Sequence, residues 1–174
     1  MLRFLDEESI KIHKEYTEDL RLKYSILEKS IDGIKGKSPR ELLRMHLHKR
    51  DRDVTVELLS EIRLHTLFFS SFTDEENQAS HSVRAQYGSE AALLNLLYKE
   101  GVGASRGGFL CLYRINNQIS YSHALDYKML FLKSEPLLAI DLCEHAYFFD
   151  YGFRKGDYLI NALKHLKLSV FDNL

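Results

Sequence analysis

A short stretch near residue 145 holds the side chains best suited to metal chemistry. In Asp141-Leu-Cys-Glu-His145, an aspartate and a histidine stand four residues apart, and Glu144 lies beside the histidine. An apolar run, residues 136–140, precedes it and predicts a short buried strand. The carboxylates of Asp141, Glu144 and Asp150, with one imidazole, are costly to bury unless a cation or hydrogen-bonding partners compensate them. Taken alone, the spacing suits two interpretations: a metal site, or a strand end that runs into a capped helix.

The wider segment 137–151 resembles the C-terminal signature of the iron/manganese superoxide dismutases, D-x-W-E-H-A-Y-Y-x-D-Y. The matching residues are Asp141, Glu144, His145, Ala146, Tyr147, Asp150 and Tyr151. Cys143 stands where that signature has Trp, and Phe148 where it has a second Tyr. The resemblance implies that Asp141 and His145 are two of four protein ligands to one Fe or Mn ion.

Two long amphipathic helices are predicted upstream, each with a histidine on its apolar face. The first runs from about Asp6 to Ile31 and contains His13, and the second runs from Val54 to about Phe72 and contains His65. From the pattern alone, a core histidine with a backbone partner is the simpler interpretation of His13. The resemblance adds more, because both histidines fall at the family's ligand positions on its first two long helices. It therefore implies the ligand set His13, His65, Asp141 and His145.

The remaining segments predict an α+β protein, an N-terminal long-helix hairpin followed by a small three-stranded antiparallel sheet with helices. A polar break after Thr73 suggests two regions that share the metal site, a helical hairpin domain over residues 1–73 and an α/β domain over 74–174. The predicted features are a helix capped by Ser38, a helix capped by Ser89, a β-hairpin of Phe109–Arg114 and Gln118–His123 around Asn116-Asn117, strands at Leu130–Lys133 and Leu137–Ile140, one last helix from Ala146 onward, and His165 at the surface.

Composition narrows the function classes. A net charge of −1 over 174 residues gives no reason to expect nucleic acid or an acidic membrane as a partner. The chain has no apolar run as long as a membrane span and no signal-peptide pattern. Two cysteines are more typical of free thiols than of a disulfide scaffold. These features predict a cytoplasmic protein.

Several residues that surround the metal in the family are replaced here. The family's channel His, four residues after the first ligand, is Thr17, and its gateway Tyr, eight residues after that ligand, is Arg21. Phe148 replaces a Tyr that, in the family, forms a hydrogen bond with the partner subunit's channel His. With Thr17 and Phe148 at these positions, both partners of that hydrogen bond are replaced. Glu144 is kept, and in family dimers this Glu orients the partner's ligand His. The resemblance therefore implies a homodimer with a remodelled channel.

Glu61 is the replacement with the largest chemical consequence. It lies one turn before His65, so both side chains point the same way, and many iron-type members have Gln there. An amide can donate to a bound hydroxide, whereas an ionised carboxylate can only accept. Glu61 is therefore expected to favour the reduced ion and to slow a dismutase cycle, or else to bind the metal itself. Arg21 is expected to offset its charge or to attract a small anion.

Three functions remain open from the sequence. The first is a superoxide dismutase with one Fe or Mn per chain, in which the ion alternately oxidises one superoxide and reduces the next. The second is a metal-binding or interaction protein without catalysis. The third is a different metal-dependent redox enzyme that uses Glu61. An intact ligand set favours the first and third, and the altered surroundings favour the second and third.

Overall fold

The computed structural model describes residues 2–76, 79–127, 131 and 134–173. Its helices and strands are α1 Glu7–Ser30, α2 Pro39–Arg44, α3 Lys49–Ser70, α4 His81–Tyr87, α5 Glu90–Gly103, β1 Phe109–Ile115, β2 Gln118–Ala124, β3 Leu138–Asp141, α6 Glu144–Tyr151 and α7 Lys155–Lys164, followed by a 3₁₀ turn, Leu168–Asp172.

Helix α1 forms where its apolar spacing predicts it. Asp6 caps the first turn by accepting a hydrogen bond from the Ser9 backbone N–H at 2.6 Å. One face is buried against α3, and this face includes His13, Thr17 and Leu20. The helix therefore carries polar side chains into the interior together with apolar ones.

Helices α2 and α3 complete the helical part. Ser38 and Glu41 form the predicted capping box at the start of α2. Helix α3 begins at Lys49, so the predicted start at Val54 was wrong by five residues. Lys and Arg favour helix, and Asp51 in the first turn suits the helix dipole, which explains why this charged segment is helical.

The sheet has three antiparallel strands in the order β2-β1-β3. Asn116 and Asn117 make the predicted hairpin turn, with φ of 49° and 65°, as a tight two-residue hairpin requires. The predicted strand Leu130–Lys133 falls outside the described residues except for Phe131, which is helical and buried. The third strand among the described residues is β3, and the predicted α+β fold class is confirmed.

The C-terminal segment departs from the prediction in two ways. It forms two helices rather than one, because the chain turns at Gly152, where φ is +56°. His165 is buried, so its predicted surface position was wrong. Its Nδ1–H donates to the Thr73 carbonyl at 3.1 Å, and its ring stacks on Phe4. These contacts join the end of α7 to the end of α3.

One apolar core connects the helical part to the sheet. It runs from Leu64 and Phe68 on α3, through Phe109 on β1, to Tyr158 on α7, all of them fully buried. The division of the chain at Thr73 into two domains stays a prediction. In the described part of the chain, no helix combines the length and apolarity needed to cross a membrane.

Candidate metal centre

Four side chains from four elements converge at the junction of the helices and the sheet. They are His13 on α1, His65 on α3, Asp141 at the end of β3 and His145 on α6, and their ligand atoms lie within 4.8 Å of one another. The Asp141 Oδ2 atom lies 3.1 Å from His13 Nε2, 3.4 Å from His65 Nε2 and 3.0 Å from His145 Nε2. Three of the side chains are fully buried, and His145 remains 26% exposed. One carboxylate oxygen is thus surrounded by three imidazole nitrogens.

The connection from β3 to α6 sets the orientation of Asp141 and His145. The Cys143 backbone N–H donates to Asp141 Oδ1 at 2.8 Å, which leaves Oδ2 for the histidines. Gly107 allows the glycine-rich segment to pass close by, since a Cβ there would lie 2.8 Å from Cys143 Sγ. Gly108 N–H donates to the same sulfur at 3.0 Å. Backbone contacts therefore fix the loop between the two ligands.

The hydrogen bonds of the histidines indicate that their nitrogens suit a cation. The Nδ1–H of His65 donates to the Glu61 carbonyl at 2.9 Å, so its Nε2 carries a lone pair toward the cluster. That Nε2 lies 3.1 Å from His145 Nε2. His13 Nε2 has ion-pair distance to Asp141 but not hydrogen-bond geometry, so neither nitrogen of His13 has a hydrogen bond among the described residues. Buried nitrogens without such partners are costly, and a metal ion at the centre would satisfy His13 Nε2.

The charges of the cluster support the same conclusion. Burial alone would raise the pKa of Asp141, but the favourable interactions with the three surrounding histidines outweigh it and hold that pKa well below its usual range. Burial lowers the pKa of His13, which favours the neutral imidazole that a metal requires. Burial also acts to lower the pKa of His145, but Asp141 outweighs it and the net shift is upward. One carboxylate and three imidazoles fit a first-row transition ion, so the residues present fit the ion that the sequence resemblance implies.

Thr17 and Arg21, which replace the family's channel His and gateway Tyr, form hydrogen bonds outside the four ligand side chains. The Thr17 hydroxyl is buried and donates to the His13 carbonyl at 2.9 Å. Arg21 is exposed, donates to Thr66 Oγ1 at 3.0 Å and pairs with Glu18 at 3.3 Å. The two expectations for Arg21, that it offsets the charge of Glu61 or attracts a small anion, stay predictions.

Glu61 instead binds Tyr16, a residue that the sequence analysis did not select. The Tyr16 hydroxyl donates to Glu61 Oε1 at 2.8 Å, and burial followed by this hydrogen bond raises the pKa of Tyr16. The Tyr16 ring stacks on His145, with centroids 4.5 Å apart. The available signal was its place three residues after His13, which puts both on neighbouring positions of α1. Glu61 is not a member of the four-residue cluster.

Phe148 and Glu144 lie on the exposed side of α6. Phe148 is 44% exposed and joins Phe149 and Phe153, which are 69% and 94% exposed. A hollow of about 230 Å³ beside His145 is lined in part by Phe148, Phe149 and Ile12. The exposed edge of the cluster therefore opens next to an apolar surface.

A helical hairpin that supplies two histidines, and a strand–helix unit that supplies an aspartate and a third histidine, define the candidate centre of a mononuclear metalloprotein. Residues 75–173 match the family described as iron/manganese superoxide dismutases, C-terminal domain. The chain belongs to this family, as the resemblance predicted. The match contains Asp141 and His145, whereas His13 and His65 lie upstream of it. No curated protein matches the chain.

Proposed function

We propose that the protein binds one Fe or Mn ion through His13, His65, Asp141 and His145 and disproportionates superoxide. The observation that carries the proposal is the buried convergence of three imidazole nitrogens on one carboxylate oxygen. The reaction converts two superoxide anions and two protons into dioxygen and hydrogen peroxide. When bound, an ion of this kind supplies reversible one-electron exchange between two oxidation states.

The chain's own residues would set charge, orientation and proton supply. Asp141 contributes the one negative charge of the donor set, and the Cys143 N–H holds its other oxygen in place. The Glu61 carbonyl fixes the His65 ring so that Nε2 faces inward. The Tyr16 hydroxyl carries the proton shared with Glu61 Oε1, and this half-buried pair is the proton-holding group beside His145.

We also propose that the protein is a homodimer joined through the apolar surface of Phe148, Phe149 and Phe153. A cluster of exposed phenylalanines is the kind of surface that an interface covers. Glu144 is exposed next to it and would meet a ligand histidine of the partner subunit, as the family resemblance implies. The cytoplasmic location and the absence of nucleic-acid and membrane partners stay predictions from composition.

A metal-binding protein with little dismutase activity is the second candidate, and Glu61 is the observation that favours it. Its carboxylate occupies a position beside the cluster where many iron-type members have an amide, and it accepts from Tyr16 rather than donating toward the centre. A different metal-dependent redox reaction would suit the same arrangement.

Superoxide turnover by protein loaded with Fe or Mn tests the proposal. We expect turnover in the wild type, its loss in His65→Ala, and wild-type turnover in His46→Ala. His46 is the matched control because it is exposed in the segment between α2 and α3. Metal binding without turnover in the wild type would favour the second candidate, and turnover that survives His65→Ala would contradict the proposed site.

A further inference from the structure

We propose that Tyr16 is a positioning residue that keeps the Glu61 carboxylate out of the metal site, so that the centre has four protein ligands and not five. The inference rests on the proposed function, because it presupposes a metal ion held by the four clustered residues. It assigns a role to a side chain that stands at none of the three α1 positions singled out by the family resemblance, which are His13, Thr17 and Arg21.

Tyr16 is placed to do this because one side chain touches three elements. It extends from α1, its hydroxyl donates to Glu61 on α3 at 2.8 Å, and its ring stacks on His145 of α6 with an interplanar angle of 30°. A second ring contact joins it to His65, with centroids 5.3 Å apart. The stacking fixes the ring, and the fixed ring fixes the point at which the Glu61 carboxylate is held.

Glu61 is close enough to the cluster to need such a restraint. It lies on α3 one turn before His65, its backbone carbonyl accepts a hydrogen bond from His65 Nδ1–H at 2.9 Å, and its carboxylate binds the tyrosine whose ring stacks on His145. A carboxylate at this place is attracted to any cation among the four ligands, because Coulomb attraction is strong in a half-buried setting. In the structure, the carboxylate is nevertheless bonded to Tyr16 and stands outside the group of converging ligand atoms.

The restraint decides the charge and the openness of the centre. With four ligands, Asp141 would be the one anionic donor, and the ion would stay accessible to a small anion. A fifth ligand from Glu61 would add a second negative charge and block that access. It would also shift the preference of the site toward ions that favour carboxylate oxygen. By this reasoning Tyr16 controls which metal binds and whether superoxide can reach it.

The test uses Co(II) alone as the probe, added to purified wild type, Tyr16→Phe, Glu61→Gln and the double variant. Removing the Tyr16 hydroxyl keeps the ring and its stacking, so the fold is disturbed little. We expect Tyr16→Phe to lose intensity in the visible Co(II) bands, because an added carboxylate raises the coordination number. The double variant should recover the spectrum of Glu61→Gln, since no carboxylate is left to move.

Tyr24→Phe is the matched control. Tyr24 lies on the same helix, and its buried hydroxyl has no hydrogen-bond partner among the described residues, so its removal should leave the Co(II) spectrum unchanged. A second readout needs no metal: a double-variant cycle of melting temperatures on the metal-free protein should show a coupling of about 3–6 °C between Tyr16 and Glu61.

The outcomes separate this inference from the proposed function. If Co(II) binds and Tyr16→Phe leaves its spectrum unchanged, the positioning role is wrong and the metal site stands. If the spectral change persists in the double variant, Glu61 is not the group that moves, and the role is wrong as well. If neither the wild type nor any variant binds Co(II), the metal site itself is refuted, and the positioning role of Tyr16 is refuted as well.

Discussion

The four clustered ligand residues and the residues that surround them contrast sharply. His13, His65, Asp141 and His145 all stand where the family resemblance places metal ligands, and the structure brings them together. Around them, the residues expected to form a channel and gateway are replaced and paired in other ways. The difference teaches that a chain can keep the donors for a metal while it changes the groups that supply charge and protons.

The two groups of residues differ in how their polar atoms find hydrogen-bonding partners, and this gives a physical reason for the contrast. Asp141 is fully buried and contacts all three histidines, so the loss of any one leaves buried polar groups without partners. The surrounding residues form separate pairs instead, such as Tyr16 with Glu61 and Arg21 with Thr66. Each pair can change without disturbing the other, so the surroundings are freer to vary.

Removal of the Asp141 carboxylate should have the largest effect on both metal binding and the free energy of unfolding. Asp141→Ala leaves three imidazoles facing one another around a cavity, so we expect loss of metal binding and a fall of about 3–5 kcal/mol in the free energy of unfolding. Equilibrium dialysis and urea unfolding measure the two quantities. Asp157→Ala, on the exposed side of α7, is the control. A variant that still binds one ion per chain would show that the cluster is not centred on Asp141.

A change in the surroundings should alter activity rather than binding. Glu61→Gln replaces an acceptor by a group that can also donate, and we expect superoxide turnover to rise by about 10–100-fold with the metal content unchanged. Glu15→Gln, exposed on α1, is the matched control. If turnover falls instead, the expectation that Glu61 slows the dismutase cycle is wrong, and its bond to Tyr16 matters more as a source of protons.

The exposed phenylalanine surface allows a test of assembly. Phe148→Glu puts a charge into the proposed interface, so we expect the dimer to weaken by at least about 10-fold, as measured by sedimentation at several protein concentrations. Ile160→Glu is a matched control, because Ile160 is 46% exposed and Phe148 is 44% exposed. Equal behaviour of the two variants would place the interface elsewhere or show that the protein is monomeric.

The smallest effect is expected far from the metal centre, at Asp172. Its carboxylate accepts hydrogen bonds from the Ser82 and His81 backbone and from Ser80 Oγ at the start of α4. Burial acts to raise the pKa of Asp172, but these hydrogen bonds outweigh it and lower that pKa in the folded protein. The stabilisation is therefore complete above the unfolded pKa, about 3.9, and disappears as the pH falls through the lower folded value.

Asp172→Asn should accordingly melt about 1–3 °C below the wild type near neutral pH, and the difference should close below about pH 4. Thermal melts over a pH series measure this, and metal content should not change. A variant that also loses metal would mean that this end of the chain is coupled to the cluster.

Local patterns in the sequence predicted much of the fold. Helical periodicity placed His13 and His65 on buried faces, and turn chemistry placed the hairpin at Asn116-Asn117. His165 was missed because its burial depends on contacts with Thr73 and Phe4, far away in the sequence. A local sequence pattern cannot predict contacts between residues so far apart in the chain.

At the candidate site too, contacts between residues far apart in the sequence could not be predicted. The convergence of the four clustered residues could be predicted because the family pattern has ligands at those positions, whereas the spacing of Asp141 and His145 alone left a capped helix as an alternative. The contact of Tyr16 with Glu61 could not be predicted, because it joins residues 45 positions apart on two helices. The partners of Arg21, which are Thr66 and Glu18, were not predicted either.

Elemental analysis of protein purified without added metal tests the central claim most directly. We predict one Fe or Mn ion per chain in the wild type, and less than about one-tenth of that in His65→Ala, because the loss of one of four ligands opens a buried site. Wild-type protein that holds no ion, even after reconstitution with Fe and with Mn, would contradict the claim that these four residues form a metal centre.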